Sequence, residues 1–465
     1  MDGVYVYYCR ILGPGGAMRA CGRASRRRKK KHGRVAQAAS LSHRLQCVRL
    51  LRFLRRRGFE PTPLRPATFP GTGRGLQAVR NMEAGQLLIS LPQSCLLTTS
   101  TVMDSYLGPF IRSWKPRPSP MLALCVFLVC ERHRGQDSDW FPYVDVLPTT
   151  YTCPAYFSHD VMAVLPAGVR QRGLQQKETV RRIHSSHQHL FKTLQRVLSE
   201  PVEDVLTYEA FRWAWCSVNT RSVFMPQPSN SFLQGQDVYA LAPLLDLLNH
   251  RPDVRVHAGF NQATKCYEIR SVCRTPRFQQ AFINYGCHDN QRLLLEYGFV
   301  APGNPHSVVY VDKETLCELL KGDKSLEQKM KLLSENDFLD NLTVCSEGPG
   351  WRLMTALRMM SLPQTLYHQW RAVLHGQAVG EEAERWSVCA AVKLCEGLLF
   401  VTLTALDQIA SLLQQGEQLL KEQLQVVEAL RLEEKYILGS CLESLQGSLK
   451  VSSVLSCQPD VNDAS

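Results

Sequence analysis

The stretch Leu245-Asp246-Leu247-Leu248-Asn249-His250 is a short apolar run that ends in two polar residues, Asn and His. Further along the chain, Phe282-Ile283-Asn284-Tyr285-Gly286 has the apolar and aromatic composition of a strand that ends at a glycine turn. A third stretch, Gly71-Thr72-Gly73-Arg74-Gly75-Leu76, lies upstream and is rich in glycine. These three stretches decide the interpretation of the fold, and the composition of the rest of the chain sets its limits.

The length of 465 residues exceeds what one hydrophobic core usually supports, so we expect two domains. An apolar fraction of 45% with 21% charged residues is typical of a folded protein. The formal net charge of +12 is unevenly distributed: residues 1–57 hold 16 Lys/Arg and one acidic residue, which leaves 38 Lys/Arg against 41 Asp/Glu in residues 58–465. Since the body has a net charge of −3, we expect no sequence-specific binding of nucleic acid.

The basic tail includes the run Arg26-Arg27-Arg28-Lys29-Lys30-Lys31, which is explained either by a nuclear-import signal or by a solvated, disordered tail. We expect the protein in the nucleus and the cytoplasm. The tail composition is also consistent with a translation start at Met18. The sequence shows no secretory signal, and its longest clean apolar run, residues 121–130, is too short to cross a bilayer, so no membrane partner is predicted.

The 17 cysteines include no Cys-x-x-Cys pair and no zinc-finger spacing. Scattered cysteines of this kind are typical of free thiols in a reducing compartment. The sequence therefore predicts no metal site.

Apolar periodicity predicts the outline of the secondary structure. A basic helix is expected at 45–54, a loop at 61–75, and a helical insert at about 120–216 that contains a long helix at 178–198. The predicted strands are 76–79, 86–91, 95–98, 257–260, 267–272 and 281–285. Residues 313–450 are predicted to be all-helical, between disordered tails at 1–43 and 451–465. An apolar seam predicts one long helix there, formed by Leu406, Ile409, Leu413, Leu420, Leu424, Val427 and Leu430.

Each candidate site residue also has an ordinary structural interpretation. The Gly71-to-Leu76 stretch could be a tight turn, and its sequence fits neither a P-loop nor the dinucleotide fingerprint, which disfavours ATP and NAD. Asn249 and His250 could form a polar cap that closes a helix or a strand. Arg221 could be an ordinary surface charge, and Tyr285 and Tyr297 could be core residues with satisfied hydroxyls.

Taken together and in this order, the three stretches resemble the split-SET protein-lysine methyltransferases, the group that includes the Rubisco large-subunit methyltransferase. The resemblance covers roughly residues 44–440. It implies an α+β fold: a strand-rich SET core at 44–312 with the helical insert, followed by an all-α substrate-binding domain at 313–450.

The resemblance also implies S-adenosylmethionine as the cofactor, with a catalytic tyrosine at Tyr285 and a second tyrosine, Tyr297, lining the substrate-lysine channel. Arg221 is expected to pair with the cofactor carboxylate, a task suited to a planar fork of donors. The residues expected to hold the cofactor are Gly73, Arg74, Gly75, Arg221, Asn249, His250 and Tyr285.

Two features depart from the family pattern. Arg251 stands where the family commonly has Ser, and the turn usually written Gly-Glu-Glu reads Arg277-Phe278-Gln279-Gln280. The resemblance as a whole predicts a protein-lysine N-methyltransferase, with a histone tail as the substrate and protein partner. The alternatives are a catalytically weak SET binding platform and a protein-histidine methyltransferase.

Overall fold

The computed structural model describes residues 38–318, 325–415 and 417–455. The chain divides into two compact units. The first contains the residues up to Thr149 together with Arg182–Cys287, and the second contains Thr150–Arg181 and the residues from His288 onward. The predicted domain bounds, 44–312 and 313–450, stay predictions.

The described residues contain thirteen strands, none of them longer than six residues. The strands are β1 (Ala39–Ser40), β2 (Leu64–Phe69), β3 (Gly73–Ala78), β4 (Leu87–Pro92), β5 (Ser222–Phe224), β6 (Tyr239–Leu241), β7 (Asn249–His250), β8 (Val256–Asn261), β9 (Cys266–Ser271), β10 (Gln280–Ile283), β11 (Val309–Tyr310), β12 (Thr343–Cys345) and β13 (Gly348–Pro349).

The α-helices are α1 (Leu45–Arg56), α2 (Thr99–Asp104), α3 (Gly108–Ser113), α4 (Pro120–Arg134), α5 (Phe141–Val144), α6 (His159–Ala163), α7 (Ala167–Ser186), α8 (Gln188–Phe191), α9 (Val202–Val205), α10 (Tyr208–Arg221), α11 (Asn290–Tyr297), α12 (Lys313–Glu318), α13 (Leu326–Glu335), α14 (Trp351–Ser361), α15 (Trp370–Leu374), α16 (Glu381–Gln415) and α17 (Gln418–Leu455). Short 3₁₀ helices lie at Gln93–Cys95, Gly135–Asp137, Pro154–Tyr156, Lys192–Val197, Leu245–Leu247 and Gln364–Gln369.

The largest sheet of the first unit has five strands in the order β1-β2-β3-β10-β7. All its pairs are antiparallel except β10 with β7, which run parallel. Parallel neighbours need a long connection, and here the chain between them leaves to form the β8–β9 hairpin, which pairs with β4 in a separate sheet. The sheet therefore brings together three stretches that are far apart in the sequence.

Helix α4 provides the centre of the helical insert in the first unit. Ser119 caps it, since its hydroxyl accepts a hydrogen bond from the backbone N–H of Leu122, and Pro120 occupies its first turn. Almost all its residues from 120 to 131 are buried, so the helix is apolar on every side. The prediction of a helix in this segment is confirmed.

Three local predictions before residue 200 are wrong. The expected loop at 61–75 contains β2 and the start of β3, because Leu64 is buried on one face of a strand and Ala67 and Phe69 on the other, despite the surrounding Pro and Gly. The expected strand at 95–98 is a 3₁₀ turn followed by an isolated bridge between Leu97 and Leu241. The expected helix at 178–198 is instead the end of α7, the short α8 and a 3₁₀ helix.

The second unit is built around two long helices, α16 and α17, and is not purely helical as predicted. Strands β11, β12 and β13 form a small antiparallel sheet. Its central residue Val344 is fully buried beside Leu357 and Leu438 in one apolar cluster. Alternating short apolar runs of this length do not distinguish strand from helix by periodicity, which explains the error.

The predicted apolar seam is divided between α16 and α17, which end and begin at Gln415 and Gln418, so the prediction of a single helix is wrong. Ile409, Leu424 and Val427 are fully buried in one cluster with α6 and α11 residues of the same unit. Within the described residues, one helix, Glu381–Gln414, is long and apolar enough to cross a membrane, but the core helix of a soluble protein passes the same test.

The predicted tails are partly ordered. Ala39 and Ser40 pair with Thr68 and Ala67 as β1, because the extended backbone can satisfy its hydrogen bonds on the edge of β2. At the other end, α17 continues to Leu455. The rest of both predicted tails, including the cationic run of residues 26–31, lies outside the described residues.

Replacing Leu424 in the buried seam with alanine should lower the free energy of unfolding by about 2–5 kcal/mol, because it leaves a cavity in the second unit. Urea unfolding followed by circular dichroism measures this change. Leu432→Ala on the same helix is the control, since Leu432 is half exposed. Equal midpoints for the two variants would contradict the buried seam.

Candidate functional site

The sheet of the first unit places the three decisive stretches on adjacent strands. Gln280 and Ala281 of β10 pair with Gln77 and Leu76 of β3. On its other side, β10 pairs in parallel with β7 through Phe282–Asn249 and Ile283–His250. The predicted residues of the glycine stretch, Asn249, His250 and Tyr285 therefore occupy one region of one unit.

Glycine is required at two positions of the upstream stretch. Gly73 has a φ of +67°, in the left-handed region that side chains rarely adopt. A Cβ atom on Gly75 would lie 2.6 Å from Gln280 Nε2 and 2.9 Å from Asn249 Nδ2. A side chain at residue 75 would therefore force the Gln280 and Asn249 amides to move.

Asn249 holds this glycine stretch in place. Its side-chain nitrogen donates hydrogen bonds to the carbonyl oxygens of Thr72 and Arg74, at 3.3 and 2.9 Å. An amide nitrogen has two hydrogens, so both are used in these two bonds. The side-chain oxygen of Asn249 remains as the acceptor available to a ligand.

His250 and Tyr285 are joined directly. The backbone N–H of Tyr285 donates to Nδ1 of the buried His250 at 3.0 Å, which requires that Nδ1 carry no proton. The phenolic hydroxyl of Tyr285 donates to the carbonyl oxygen of Leu248 at 2.7 Å. This bond fixes the hydroxyl and leaves its oxygen lone pairs as acceptors.

Arg221 is the last residue of α10 and lies beside Asp246, which the sequence analysis did not assign to the site. Arg221 Nη1 donates to the Asp246 carbonyl oxygen at 3.0 Å and lies 3.7 Å from its carboxylate Oδ2. The hydroxyl of Tyr143 donates to the same Oδ2 at 3.1 Å. The signal for Asp246 was present in the sequence: it is a carboxylate inside an otherwise apolar run.

Burial raises the pKa of the Asp246 carboxyl, while Arg221, the Tyr143 hydroxyl and Arg74 oppose that shift. Both arginines thus favour the charged form of this buried carboxylate. If all three groups are charged, the cluster has one excess positive charge, which suits a ligand with one carboxylate. The side chain of Arg74 is itself held by the carbonyl oxygen of Val146, to which Nη1 donates at 2.6 Å.

The turn that departs from the family pattern is firmly bonded to β3. Phe278 N–H donates to the Ala78 carbonyl at 2.8 Å, and the Gln77 side chain donates to the Phe278 carbonyl at 3.0 Å. Gln280 accepts a hydrogen bond from the Thr72 hydroxyl at 2.8 Å. The amide side chains thus anchor the strand without acidic residues, although Phe278 adopts a strained φ of +68°.

Arg251, the other departure, forms an exposed ion pair with Asp253. Its Nε lies 2.6 Å from Asp253 Oδ1, and its guanidinium lies 4.9 Å from the centre of the Phe282 ring. Both charged side chains of this pair are at least half exposed. The backbone N–H of Arg251 donates to the Ile283 carbonyl at 2.9 Å, so it extends the parallel pairing.

Tyr297 belongs to the second unit, unlike the other predicted site residues. It is the last residue of α11. Its ring stacks on His288 with 6.1 Å between the ring centres, and its ring centre lies 6.3 Å from that of Phe299. Burial raises the pKa of Tyr297 to about 12, the nearby Glu296 adds to the shift, and Arg292 opposes it. The phenol is therefore protonated at neutral pH.

Replacing Gly75 with alanine should lower the stability of the first unit by about 1–3 kcal/mol, because the new Cβ would displace the side chains of Gln280 and Asn249. Gly259→Ala is the matched control, since a Cβ there meets no atom within 4 Å. Thermal unfolding monitored by tryptophan fluorescence measures both. Unchanged stability of the Gly75 variant would contradict the close approach.

Comparison with known proteins accounts for most of the chain. A family model described as Rubisco LSMT substrate-binding matches residues 321–438. The chain is 44% identical to SET domain-containing protein 4 of Mus musculus over 429 residues, which cover 92% of this chain and 97% of that protein. It is also 27% identical to actin-histidine N-methyltransferase of Danio rerio over 304 residues, or 64% of this chain and 49% of that protein.

Solved structures show the same fold. Rubisco LSMT bound to AdoMet aligns with a TM-score of 0.58 at 19% identity, covering 89% of this chain and 97% of that one. Rubisco LSMT bound to sinefungin and monomethyllysine also aligns with a TM-score of 0.58, covering 88% and 93%. The predicted α+β SET fold with a C-terminal substrate-binding region is thereby confirmed. The chain belongs to the SET domain-containing protein 4 family.

Proposed function

We propose that this chain is a protein-lysine N-methyltransferase that uses S-adenosylmethionine. One observation carries the proposal: direct hydrogen bonds join the three decisive stretches. Asn249 bonds to the glycine stretch, and His250, its neighbour in β7, bonds to the backbone of Tyr285. A site assembled in this way holds a ligand and a reactive tyrosine in one fixed arrangement.

The chemical groups present suit this cofactor. Its carboxylate would pair with the guanidinium of Arg221, whose planar fork favours such a partner. Its ammonium would donate to the side-chain oxygen of Asn249, the atom that the glycine stretch leaves available. At Gly73, where a Cβ atom would meet nothing within 4 Å, the backbone permits close approach of the ligand.

S-adenosylmethionine, when bound, supplies a methyl group activated by a sulfonium. Transfer of such a group is an in-line displacement, so alignment and charge stabilisation provide most of the catalysis. Tyr285 contributes to both, because its hydroxyl is fixed by the Leu248 carbonyl and its oxygen can accept from an amine N–H or a polarised methyl. We assign it the orienting role.

The attacking amine must be neutral. With a reference pKa near 10.4, deprotonating a lysine at pH 7 costs about 4–5 kcal/mol. An apolar channel lowers this cost, because desolvation depresses the amine pKa. The buried, neutral phenol of Tyr297 suits the wall of such a channel.

The comparisons support both the donor and the acceptor. The structures of Rubisco LSMT that share this fold were solved with AdoMet and with monomethyllysine. We further propose a histone tail as the substrate, since a basic peptide complements a body with a net charge of −3. Action on histones requires entry into the nucleus, the task proposed for residues 26–31.

A second candidate is methylation of histidine. It is favoured by the similarity to actin-histidine N-methyltransferase, which extends over 64% of this chain. The residues proposed to hold the cofactor would serve either reaction, because the donor is the same. The two candidates differ only in the acceptor nitrogen.

Tyr285→Phe should reduce methyl transfer by at least about 100-fold while leaving cofactor binding within a few fold, because it removes the oriented hydroxyl oxygen and keeps the ring. The measurement is transfer of labelled methyl from S-adenosylmethionine to core histones and to a cytosolic lysate. Residue-level mass spectrometry then identifies the modified side chain.

Label on lysine with the native chain alone would support the leading proposal, and label on histidine would replace it with the second candidate. Saturable cofactor binding without any transfer would favour a SET binding platform. Absence of cofactor binding would reject all three.

Arg221→Lys should weaken S-adenosylmethionine binding by about tenfold or more although the charge is kept, because an ammonium cannot contact the Asp246 carbonyl and a ligand carboxylate as a fork does. Isothermal calorimetry measures the affinity. Arg251→Lys is the control, since its guanidinium pairs with the exposed Asp253. Equal affinities of both variants would refute the role of Arg221.

A further inference from the structure

Helix α1 carries a row of arginines on the side that faces away from the core. Its buried residues are Leu50, Phe53 and Leu54, which pack into the first unit. Arg52, Arg55 and Arg56 are exposed, and the helix contains no acidic residue. We name the surface formed by Arg49, Arg52, Arg55 and Arg56 the arginine face.

The arginine face is largely uncompensated. Arg49 Nη1 lies 4.0 Å from Asp145 Oδ2, which is a long distance for an ion pair, so this pairing is weak. In the parts of the chain that the structure describes, Arg52, Arg55 and Arg56 form no ion pair and no side-chain hydrogen bond. Arg55 and Arg56 also stabilise the helix C-terminus, but Arg52 lies outside the last turn, so capping does not explain the row.

We propose that the arginine face binds the phosphate backbone of double-stranded nucleic acid without reading its sequence. Arg49, Arg52 and Arg56 follow an i, i+3, i+7 spacing and form one stripe about 10 Å long. A DNA duplex presents about six phosphate charges over that length. Every basic residue of the helix is arginine, the side chain that pairs best with phosphate.

The polar, all-arginine composition separates this partner from an anionic membrane. A membrane-bound helix inserts an apolar face between lipids, but Phe53 and Leu54 are buried within the first unit. The charge distribution of the chain agrees with a polyanion. Residues 1–37 add ten Lys/Arg and join the described fold at residue 38, shortly before α1, whereas residues 58–465 have a net charge of −3.

The face also lies on the same unit as the candidate site. Nucleic acid bound along α1 would therefore lie beside the unit that holds Tyr285. This inference does not rest on the proposed methyl transfer and can hold without it.

The test is fluorescence anisotropy of a short labelled DNA duplex with the full chain, between about 50 and 200 mM salt. The triple variant Arg52→Gln, Arg55→Gln, Arg56→Gln should bind at least about tenfold more weakly at the midpoint of that range. The plot of log affinity against log salt has a negative slope, and the magnitude of that slope should decrease by about 2.7. A matched control replaces three exposed basic residues elsewhere, Arg182, Lys192 and Arg196, with glutamine. It should bind as the native chain does.

Native affinity in the triple variant would overturn the proposal, as would an equal loss in the control, which would show a dependence on net charge alone. Binding of the native chain to phosphatidylserine vesicles but not to the duplex would assign the face to a membrane instead. If the triple variant does not fold, Arg52→Gln alone replaces it, with an expected decrease in slope of about 0.9.

Discussion

The parallel pairing of β7 with β10 is the constraint on which the candidate site depends. It aligns Asn249 with Phe282 and His250 with Ile283, which places Tyr285 beside the imidazole of His250. β10 also pairs with β3, and this contact fixes the glycine stretch. A shift of one residue in this register would turn each side chain to the opposite face of the sheet, so the sheet and the site form together.

The residues around Asp246 are arranged at a cost to stability. Burial raises the pKa of its carboxyl, so the folded state disfavours the charged form. The contribution of Asp246 to the free energy of unfolding therefore falls as the pH rises above the pKa of an unfolded aspartate, about 3.9. Leu244, two residues before Asp246, adopts a φ of +71°, a conformation that costs about 1–3 kcal/mol in a non-glycine residue. Strain and buried charge at one place are typical of a site selected for binding more than for stability.

The sequence predicted the parts of this fold that depend on local chemistry. The Asn-His pair, the glycine stretch and the strand before Tyr285 were recognisable because each requires particular residue types. The parts that depend on distant contacts were not. Strand β2 resembles a loop in the sequence and becomes a strand through its pairing with β3, and β12 is a strand because it pairs with β11 and β13.

The same limit applies to the site residues. Asp246 could have been found from its place in an apolar run, but its partners Arg221 and Tyr143 come from elements far away in the sequence. The effect of the unusual turn also depends on distant contacts, since Gln280 meets Thr72 only after β10 has paired with β3. Amide side chains can make these bonds without charge, so the loss of two acidic residues leaves the support of β10 intact. The departure from the family pattern therefore changes the charge of the turn more than its geometry, and it is a weak argument against catalysis.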